Sequence, residues 1–484
     1  STYPCKDVDL MSFLPIADMG GTAIRGSTSG NSVGLADIWG WTDPDTGREY
    51  AIVCRQDGTA FVDVTDAENP VFLGVMFQPD GARPNVWRDV KTYGNHAFVV
   101  GDNTGNHGMQ VFDLTRLRGL SPDPNRTFES DARYTGITEA HNIVINPATG
   151  LAIAVGTDVG QIDPTCGRGF HLIDVTNPVT PTFITCYTNG ETGRNGTGYV
   201  HDAQCVIYNG PDARYTGREI CIGLNETAVD VVDVTDRQNL TSLGILRYPN
   251  TAYTHQGWLS EDHRYLFVDD ELDERNGLVA RTRTLVVDLE KLDEPVLINQ
   301  HLGEAEAIDH NQYTRDGYSF QANYSSGLRI LDVRDPENLV EVAFFDNFPS
   351  FNDNRAFDGA WSNYPYFKSG NVIISSIDEG LFVVRPTALL TSTSYPGAPM
   401  PDTFGLSLDG GQPVRGGARV TLQLPTDILV DAALYDVMGR QIAQVERGTR
   451  SAGVHPLDVP TERLASGVYF LRVQAGDAVQ TLRL

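Results

Sequence analysis

The chain has 484 residues and a formal net charge of −27 at pH 7. This charge disfavours nucleic acid as a partner, because the field of an acidic protein repels polyanions. No apolar run approaches the roughly eighteen residues that a membrane-spanning helix needs, so the sequence predicts no transmembrane segment.

The first predicted element is a β-strand over residues 8–15, where apolar side chains recur among polar ones. The chain begins with Ser1 rather than Met. We interpret this start as a mature chain from which an export signal has been removed. The partner of the first strand follows from the repeats after it.

Seven short alternating segments recur roughly 45 to 60 residues apart, a spacing typical of propeller blades. Six copies end in Asp, usually before a Pro turn, and the seventh is degenerate. The aspartates are Asp63, Asp113, Asp174, Asp233, Asp288 and Asp332. Period-two segments with Gly, Asp or Pro at each reversal predict antiparallel four-stranded meanders. The predicted fold class is all-β, a seven-bladed β-propeller followed by a small immunoglobulin-like β-sandwich.

The seventh repeat lacks a fourth strand of its own, because Arg385 and Pro386 lead into a Ser/Thr/Pro-rich stretch. Residues 8–14 have the pattern that is missing there. We therefore predict that they pair with residues 381–384 and close the propeller over residues 1–386. Closure would leave no free sheet edge.

The six cysteines predict disulfides formed in an oxidising compartment. Two pairs fall within single repeats, and the third follows only by elimination. The predicted pairs are Cys166 with Cys186, Cys205 with Cys221, and Cys5 with Cys54. The alternative is six buried free thiols.

A histidine opens the first strand of four successive repeats. The series is His141, His201, His255 and His310, it continues with Asp358, and the first two repeats offer Asp37 and Asp89 instead. First strands line the channel of a propeller, so we expect the imidazoles and at least one carboxylate to converge. Such ligands suit Zn, Cu, Fe or Ni, and open positions would activate water. The alternative is a water-filled channel lined by hydrogen-bonded histidines.

Two acidic segments offer oxygen ligands for Ca²⁺. Asp269, Asp270 and Asp273 lie in the first, and Asp346 and Asp353 lie in the second. Neither segment has the spacing of a calcium-binding loop of the helix-loop-helix type. The segment that begins at Asp102 is interpreted as a tight turn.

Familiar catalytic motifs are absent from the sequence: there is no Gly-x-Ser-x-Gly elbow, phosphate-binding loop or His-Glu-x-x-His. The five tryptophans fall near first strands, where they would stack a sugar ring or, the reading we favour, pack between blades. They are Trp39, Trp41, Trp87, Trp258 and Trp361.

Residues 387–402 have the composition of a linker, and residues 403–484 contain short alternating strands that suit a β-sandwich. Tyr435-Asp-Val-Met-Gly-Arg440, then Gly453, then Leu464-Ala-Ser-Gly-Val-Tyr-Phe-Leu-Arg-Val473 follow in that order. This region resembles the C-terminal sorting domain of the type IX (Por) secretion system of Bacteroidota. The resemblance implies that the secretion machinery is a partner and that the domain directs passage across the outer membrane.

The larger part, roughly residues 5–386, resembles the choice-of-anchor B family, a propeller built of LVIVD repeats. The resemblance rests on Leu35-Ala-Asp-Ile-Trp-Gly-Trp-Thr-Asp43, on the Val-Asp-Val-Thr-Asp and Asn-Pro elements, and on the histidine motifs. It implies an extracellular or surface-attached protein, which we expect to be exported through the periplasm, and it brings no established catalytic activity.

Three functions compete. The first, which we favour, is an exported surface binding or scaffold protein that contacts a cell-surface protein or glycan. The second is a metal-dependent extracellular enzyme, a hydrolase or oxidase, built on the histidines. The third is a structural subunit of a surface assembly. Fold alone does not choose among them.

Overall fold

The computed structural model describes residues 2–25, 32–157, 166, 168–351, 354–387, 404–409, 418–424, 428–450, 453–459, 461, 464, 467–476 and 478–483. They form an all-β chain with two compact units. The first unit is Ser1–Phe367 with Asn371–Pro386, and the second is Lys368–Gly370 with Thr387–Leu484. Apart from Thr387, the predicted linker lies outside the described residues. None of the described helices is long and apolar enough to cross a membrane.

The strands of the first unit follow one another with short connections. They begin with β1 (Cys5–Lys6), β2 (Val8–Pro15), β3 (Leu35–Thr42), β4 (Glu49–Arg55), β5 (Gly58–Asp63), β6 (Val71–Phe77), β7 (Arg88–Tyr93), β8 (His96–Gly101), β9 (Met109–Asp113), β10 (Thr127–Phe128), β11 (Ala132–Tyr134), β12 (Asn142–Asn146), β13 (Leu151–Val155), β14 (Phe170–Asp174) and β15 (Thr182–Tyr187). They continue with β16 (Asp202–Ile207), β17 (Glu219–Leu224), β18 (Val229–Asp233), β19 (Thr241–Leu246), β20 (Thr254–Leu259), β21 (Tyr265–Asp270), β22 (Arg283–Asp288), β23 (Val296–Leu302), β24 (Gln312–Arg315), β25 (Tyr318–Ala322), β26 (Leu328–Asp332), β27 (Val340–Phe345), β28 (Ala360–Tyr364), β29 (Val372–Ser376) and β30 (Gly380–Pro386). Short 3-10 helices lie at Ile16–Asp18, Leu114–Leu117, Arg194–Gly196 and Pro349–Phe351.

Within the described part of this unit the strands form seven sheets, each based on four strands in meander order. The first strands of the sheets are β3, β7, β12, β16, β20, β24 and β28. Two sheets have a fifth strand that the sequence did not predict: β10 pairs in parallel with β6, and β1 pairs with β27. Each first strand contacts the first strand of the next sheet, and β28 contacts β3. The contacts between first strands therefore form a closed circuit.

The repeated Asp ends the third strand of six sheets by a local hydrogen bond. Its carboxylate accepts the backbone N–H two residues further on, which gives the Asx turn that this residue favours. The pairs are Asp63 with Thr65, Asp113 with Thr115, Asp174 with Thr176, Asp233 with Thr235, Asp288 with Glu290 and Asp332 with Arg334. The seventh sheet lacks this Asp, and β30 continues to Pro386.

The N-terminal strand β2 pairs with β30 and is the fourth strand of the seventh sheet. Phe13 lies opposite Phe382, and their rings stack with centroids 4.5 Å apart. The predicted pairing of residues 8–14 with residues 381–384 is therefore confirmed.

Two of the predicted disulfides are confirmed, Cys166–Cys186 and Cys205–Cys221. The second joins directly opposite residues of β16 and β17. The third predicted pair, Cys5 with Cys54, is wrong, and both thiols are free. The physical reason is their placement: Cys5 is exposed on β1 beside β27, whereas Cys54 is buried in β4.

Apolar side chains on facing sheets supply the core of the first unit. Ile222 and Val229 of the fourth sheet, for example, share a buried cluster with Leu266 and Leu285 of the fifth. Strands that are buried on both faces carry near-continuous apolar runs. This explains the apolar sequence of β4, which is buried along its whole length.

The second unit contains two described sheets of three and four strands. Its strands are β31 (Gly405–Asp409), β32 (Ala418–Leu424), β33 (Ile428–Asp436), β34 (Gln441–Arg450), β35 (Gly453–Val459), β36 (Tyr469–Ala475) and β37 (Ala478–Arg483). The orders are β31-β32-β35 and β34-β33-β36-β37. Val420 and Leu422 of the first sheet share a buried core with Leu434 and Leu471 of the second.

Candidate functional site

Four histidines lie side by side at the start of the first strands of the third to sixth sheets. His141 and His201 directly precede β12 and β16, His310 lies two residues before β24, and His255 is the second residue of β20. The ring centroids of successive histidines are 4.2, 4.3 and 4.5 Å apart. The structure thus brings the four sequence-predicted histidines together, and we call them the histidine row.

Each ring of the histidine row directs Nδ1 at an oxygen. The acceptors are Asp102 Oδ2 for His141 (2.8 Å), the His255 carbonyl for His201 (3.1 Å), Asp269 Oδ1 for His255 (2.8 Å) and the Trp361 carbonyl for His310 (2.6 Å). Asp269 Oδ1 also accepts the Gln256 N–H at 3.0 Å, so it acts as an acceptor towards His255. The hydrogen of each neutral ring is therefore on Nδ1, and Nε2 keeps its lone pair. Oxygen behind Nδ1 is the usual support of a histidine that binds metal through Nε2.

Burial keeps three of these rings neutral. It lowers the pKa of His201 and His255 well below the ordinary value, and the neighbouring imidazoles add to the effect. It also lowers the pKa of His310 to about 3. Charged imidazole is poorly solvated in such a place. At neutral pH these rings are in the state that metal ligation requires.

Among the described residues, the carboxylate grouped with the histidine row is Glu271, in the turn after β21. Its Oε1 lies 3.6 Å from His310 Nε2 and accepts a hydrogen bond of 2.8 Å from the Tyr324 hydroxyl. Burial raises the pKa of Glu271 to about 6, against the effect of that hydrogen bond. One ligand atom each from His255, His310 and Glu271 lies within 4.8 Å of the others. We call these three residues the His–His–Glu group.

Two imidazoles and one carboxylate are a ligand set of known chemistry. They suit Zn²⁺ or non-haem Fe²⁺, and three protein ligands leave coordination positions for water or another molecule. The group therefore has the donor atoms of such a site.

Asp37 and Asp89, which the sequence analysis placed in the same series as the histidines, have a lysine as their neighbour. Lys91 Nζ lies 2.5 Å from Asp89 Oδ1, 3.4 Å from Asp37 Oδ2 and 4.7 Å from the centre of the Trp39 ring. Burial would lower the pKa of Lys91, but the two carboxylates outweigh it and raise that pKa well above the ordinary value. Lys91 is therefore the shared partner of both carboxyl groups, and burial raises the pKa of Asp37 well above its ordinary value.

Asp358 was predicted to complete the circle of ligands. Its position is half-buried just before β28, and its charge acts with burial to raise the pKa of Asp378. Glu271 takes the place in the ligand grouping that the sequence assigned to Asp358.

The residues predicted to bind Ca²⁺ do not form one site, because the described ones have different hydrogen-bond partners. Asp269 supports His255, and Asp270 accepts hydrogen bonds from the Tyr248 hydroxyl and from the backbone N–H groups of residues 252 and 253. Asp346 accepts the N–H of residue 348. Asp353 lies outside the described residues. Asp273 belongs to a separate buried cluster.

Aromatic side chains border the histidine row. Trp361 and Tyr324 lie 5.2 and 4.4 Å from His310, and Trp87, which is 41% exposed, lies 6.1 Å from His141. Trp39 and Trp258 pack against Tyr313 of another sheet, as predicted, whereas Trp41 packs against Tyr50 of its own sheet. Trp87 is therefore an accessible aromatic surface beside the row.

Two residues with a part in the site were missed from the sequence. Asp102 follows β8 and was interpreted as part of a tight turn. Glu271 lies within the first predicted calcium-binding segment but was not named as a ligand. Both lie directly after the second strand of a sheet, close to the start of a first strand. An acidic residue at that point of a repeat was the signal to look for.

No family model matches the chain. No curated protein matches it. Among solved structures, it is similar to PorZ, an essential bacterial surface component of the type-IX secretion system of Porphyromonas gingivalis, with 14% identity, a TM-score of 0.47, and coverage of 96% of this chain and 60% of PorZ. A functionally unknown protein from Desulfotomaculum acetoxidans is 11% identical, with a TM-score of 0.42, over 66% of this chain and 87% of that one. A protein from Lactobacillus plantarum is 11% identical, with a TM-score of 0.43, over 88% of this chain and 99% of that one.

Proposed function

We propose that this chain is an exported cell-surface binding protein that holds a divalent transition metal in its His–His–Glu group. The observation that carries the proposal is the fixed orientation of the imidazoles. His255 and His310 each engage Nδ1 with an oxygen, and their ligand atoms lie within 4.8 Å of a Glu271 carboxylate oxygen. Such support behind the ligands orients the rings before metal arrives.

The first unit, in this proposal, is a seven-bladed β-propeller of LVIVD repeats. Support comes from the seven sheets in meander order and from the closed circuit of contacts between first strands. The role of β2 as outer strand of the seventh sheet supports closure by the N-terminus. A closed ring gives a rigid platform with one axial site.

The second unit is proposed to be a sorting domain of the type IX secretion system, folded as an immunoglobulin-like sandwich. Two sheets that share one apolar core support the sandwich. Two disulfides support export to an oxidising compartment. The proposed partner is a cell-surface protein or glycan, for which the exposed ring of Trp87 offers a stacking surface.

The test is elemental analysis of the full chain purified without added metal or chelator. We expect Zn or Fe at about one equivalent per chain, and its loss from His255→Ala and Glu271→Gln. His263→Ala is the matched control, because His263 lies in a turn where its Nδ1 accepts the Asn209 N–H. Metal retained by both site variants, or absent from the unmodified protein even after reloading with Zn²⁺ or Fe²⁺, would exclude the proposal.

The second candidate is a metal-dependent hydrolase or oxidase. It is favoured by the coordination positions that three ligands leave open. Metal-stripped and reloaded protein should differ in turnover of ester, phosphoester or phenolic substrates. Equal turnover by reloaded wild type and by Glu271→Gln would exclude a metal-dependent enzyme at this site, and binding would remain the proposed function.

A further inference from the structure

A second cluster of carboxylates lies next to the His–His–Glu group but shares no residue with it. Asp273, Glu274 and Asp309 each offer one oxygen, and these three oxygens lie within 4.8 Å of one another. The exposed fraction is 0% for Asp273 and Glu274 and 3% for Asp309. We call these residues the buried acid cluster.

One guanidinium group touches this cluster. Arg283 Nη2 lies 2.5 Å from Asp273 Oδ2, and the backbone N–H of Arg283 donates to Asp309 Oδ2 at 2.7 Å. Three carboxylates against one guanidinium leave two negative charges when all are ionised. Asp270, 3.9 Å from the same guanidinium, adds a further carboxylate nearby.

Glu274 is the least supported member of the cluster. In the described part of the chain, no donor forms a hydrogen bond to either of its carboxylate oxygens or to Asp309 Oδ1. Buried polar groups of native proteins have partners, and an unpaired buried charge costs several kcal/mol, roughly. Among the described residues, the oxygens of Glu274 and Asp309 Oδ1 therefore have no hydrogen-bond donor that offsets their charge.

We propose that Asp273, Glu274 and Asp309 bind a hard divalent cation, Ca²⁺ by preference. Oxygen-only donors select hard cations, and carboxylates bind Ca²⁺ with one or both oxygens. An ion of charge +2 offsets negative charge that the single guanidinium of Arg283 leaves unbalanced when these carboxyl groups are ionised. It also links the connection between β21 and β22 to the residue before His310. The site stands on its own residues and does not depend on a transition metal in the His–His–Glu group.

The test is calcium binding by the full chain after chelation and desalting, measured by titration calorimetry and by thermal unfolding. Wild type should bind Ca²⁺, and its Tm should rise with Ca²⁺ concentration, because the ion binds only the folded chain. Glu274→Gln should weaken Ca²⁺ binding about tenfold or more, and without Ca²⁺ it should be more stable than wild type. Glu290→Gln removes an exposed carboxylate and should leave binding unchanged.

Unchanged Ca²⁺ affinity in Glu274→Gln would overturn the site. No Ca²⁺ binding by wild type would also overturn it and would mean that the carboxyl groups share protons. If Glu274→Gln does not fold, Asp309→Asn replaces it, and the same Ca²⁺ affinity and Tm are measured and judged in the same way. His255→Ala should keep full Ca²⁺ binding whether or not transition metal is bound, which separates this site from the proposed function.

Discussion

Asp269 and Asp102 provide a matched pair of variants that test which histidines bind metal. Each carboxylate accepts the Nδ1 hydrogen of one histidine at 2.8 Å, Asp269 from His255 and Asp102 from His141. His255 belongs to the His–His–Glu group, whereas His141 does not. Changing either aspartate to Asn keeps the size of the side chain and replaces one carboxyl oxygen by an amide nitrogen, which cannot accept a hydrogen bond.

The expected effect is large for one variant and small for the other. Loss of the acceptor behind a ligating histidine typically lowers metal affinity about 10- to 100-fold, which is about 1.4 to 2.7 kcal/mol of binding free energy. Asp269→Asn should show this loss, and Asp102→Asn should stay within about threefold of wild type, because it supports a ring outside the group.

Competition with a chromophoric chelator at pH 7.5, with folding checked by circular dichroism, measures both affinities. Equal losses in the two variants would mean that His141 is a ligand, and the three-residue assignment would be wrong. No loss in Asp269→Asn would show that the orientation of His255 does not govern metal binding.

Three further predictions concern stability. Replacing Cys205 and Cys221 by Ala should cost about 3 kcal/mol in denaturant unfolding, because their sequence separation is 16 and the disulfide restricts the unfolded chain; a change under about 1 kcal/mol would contradict this model. His107 has a folded-state pKa of about 3, lowered by burial and then by Arg88, against about 6.5 unfolded. The unfolded state therefore binds the proton first as pH falls, and the advantage of wild type over His107→Gln should shrink by about 2 kcal/mol from pH 7 to pH 5; an unchanged gap would be evidence against the buried neutral ring. Deleting residues 1–16 should remove β2, leave β30 as an unpaired edge and cause aggregation seen by light scattering; a monomer with unchanged Tm would show that β2 is dispensable.

The strand pattern of the first unit could be predicted because six of the seven repeats have an Asp at the end of their third strand. Asp63 and its counterparts stop the third strand by a hydrogen bond over two residues, which is a local property of the sequence. The pairing of β2 with β30 was predictable too, because the seventh repeat was one strand short. The extra strands β1 and β10 were not predictable, since two-residue strands depend on a sheet edge that happens to lie close by.

The site was only half predictable, and the reason is geometric. Equivalent positions in successive repeats become neighbours, so His141 to His310 were found by register alone. Glu271 lies directly after the second strand of its sheet, at the position that Asp102 has in the second sheet, so the register of the first strands does not find it. The pairing of Cys5 with Cys54 failed for a related reason: elimination counts cysteines but carries no information about distance.

Two segments of chain supply residues to both candidate cation sites. The end of β21 places Asp269 behind His255, the connection after β21 places Glu271 beside His310, and the next acidic residues belong to the buried acid cluster. Before β24, Asp309 belongs to that cluster and the adjacent His310 belongs to the histidine row. Because each site has ligands of its own kind, imidazole and carboxylate in one and carboxylates alone in the other, different ions can fill them at the same time.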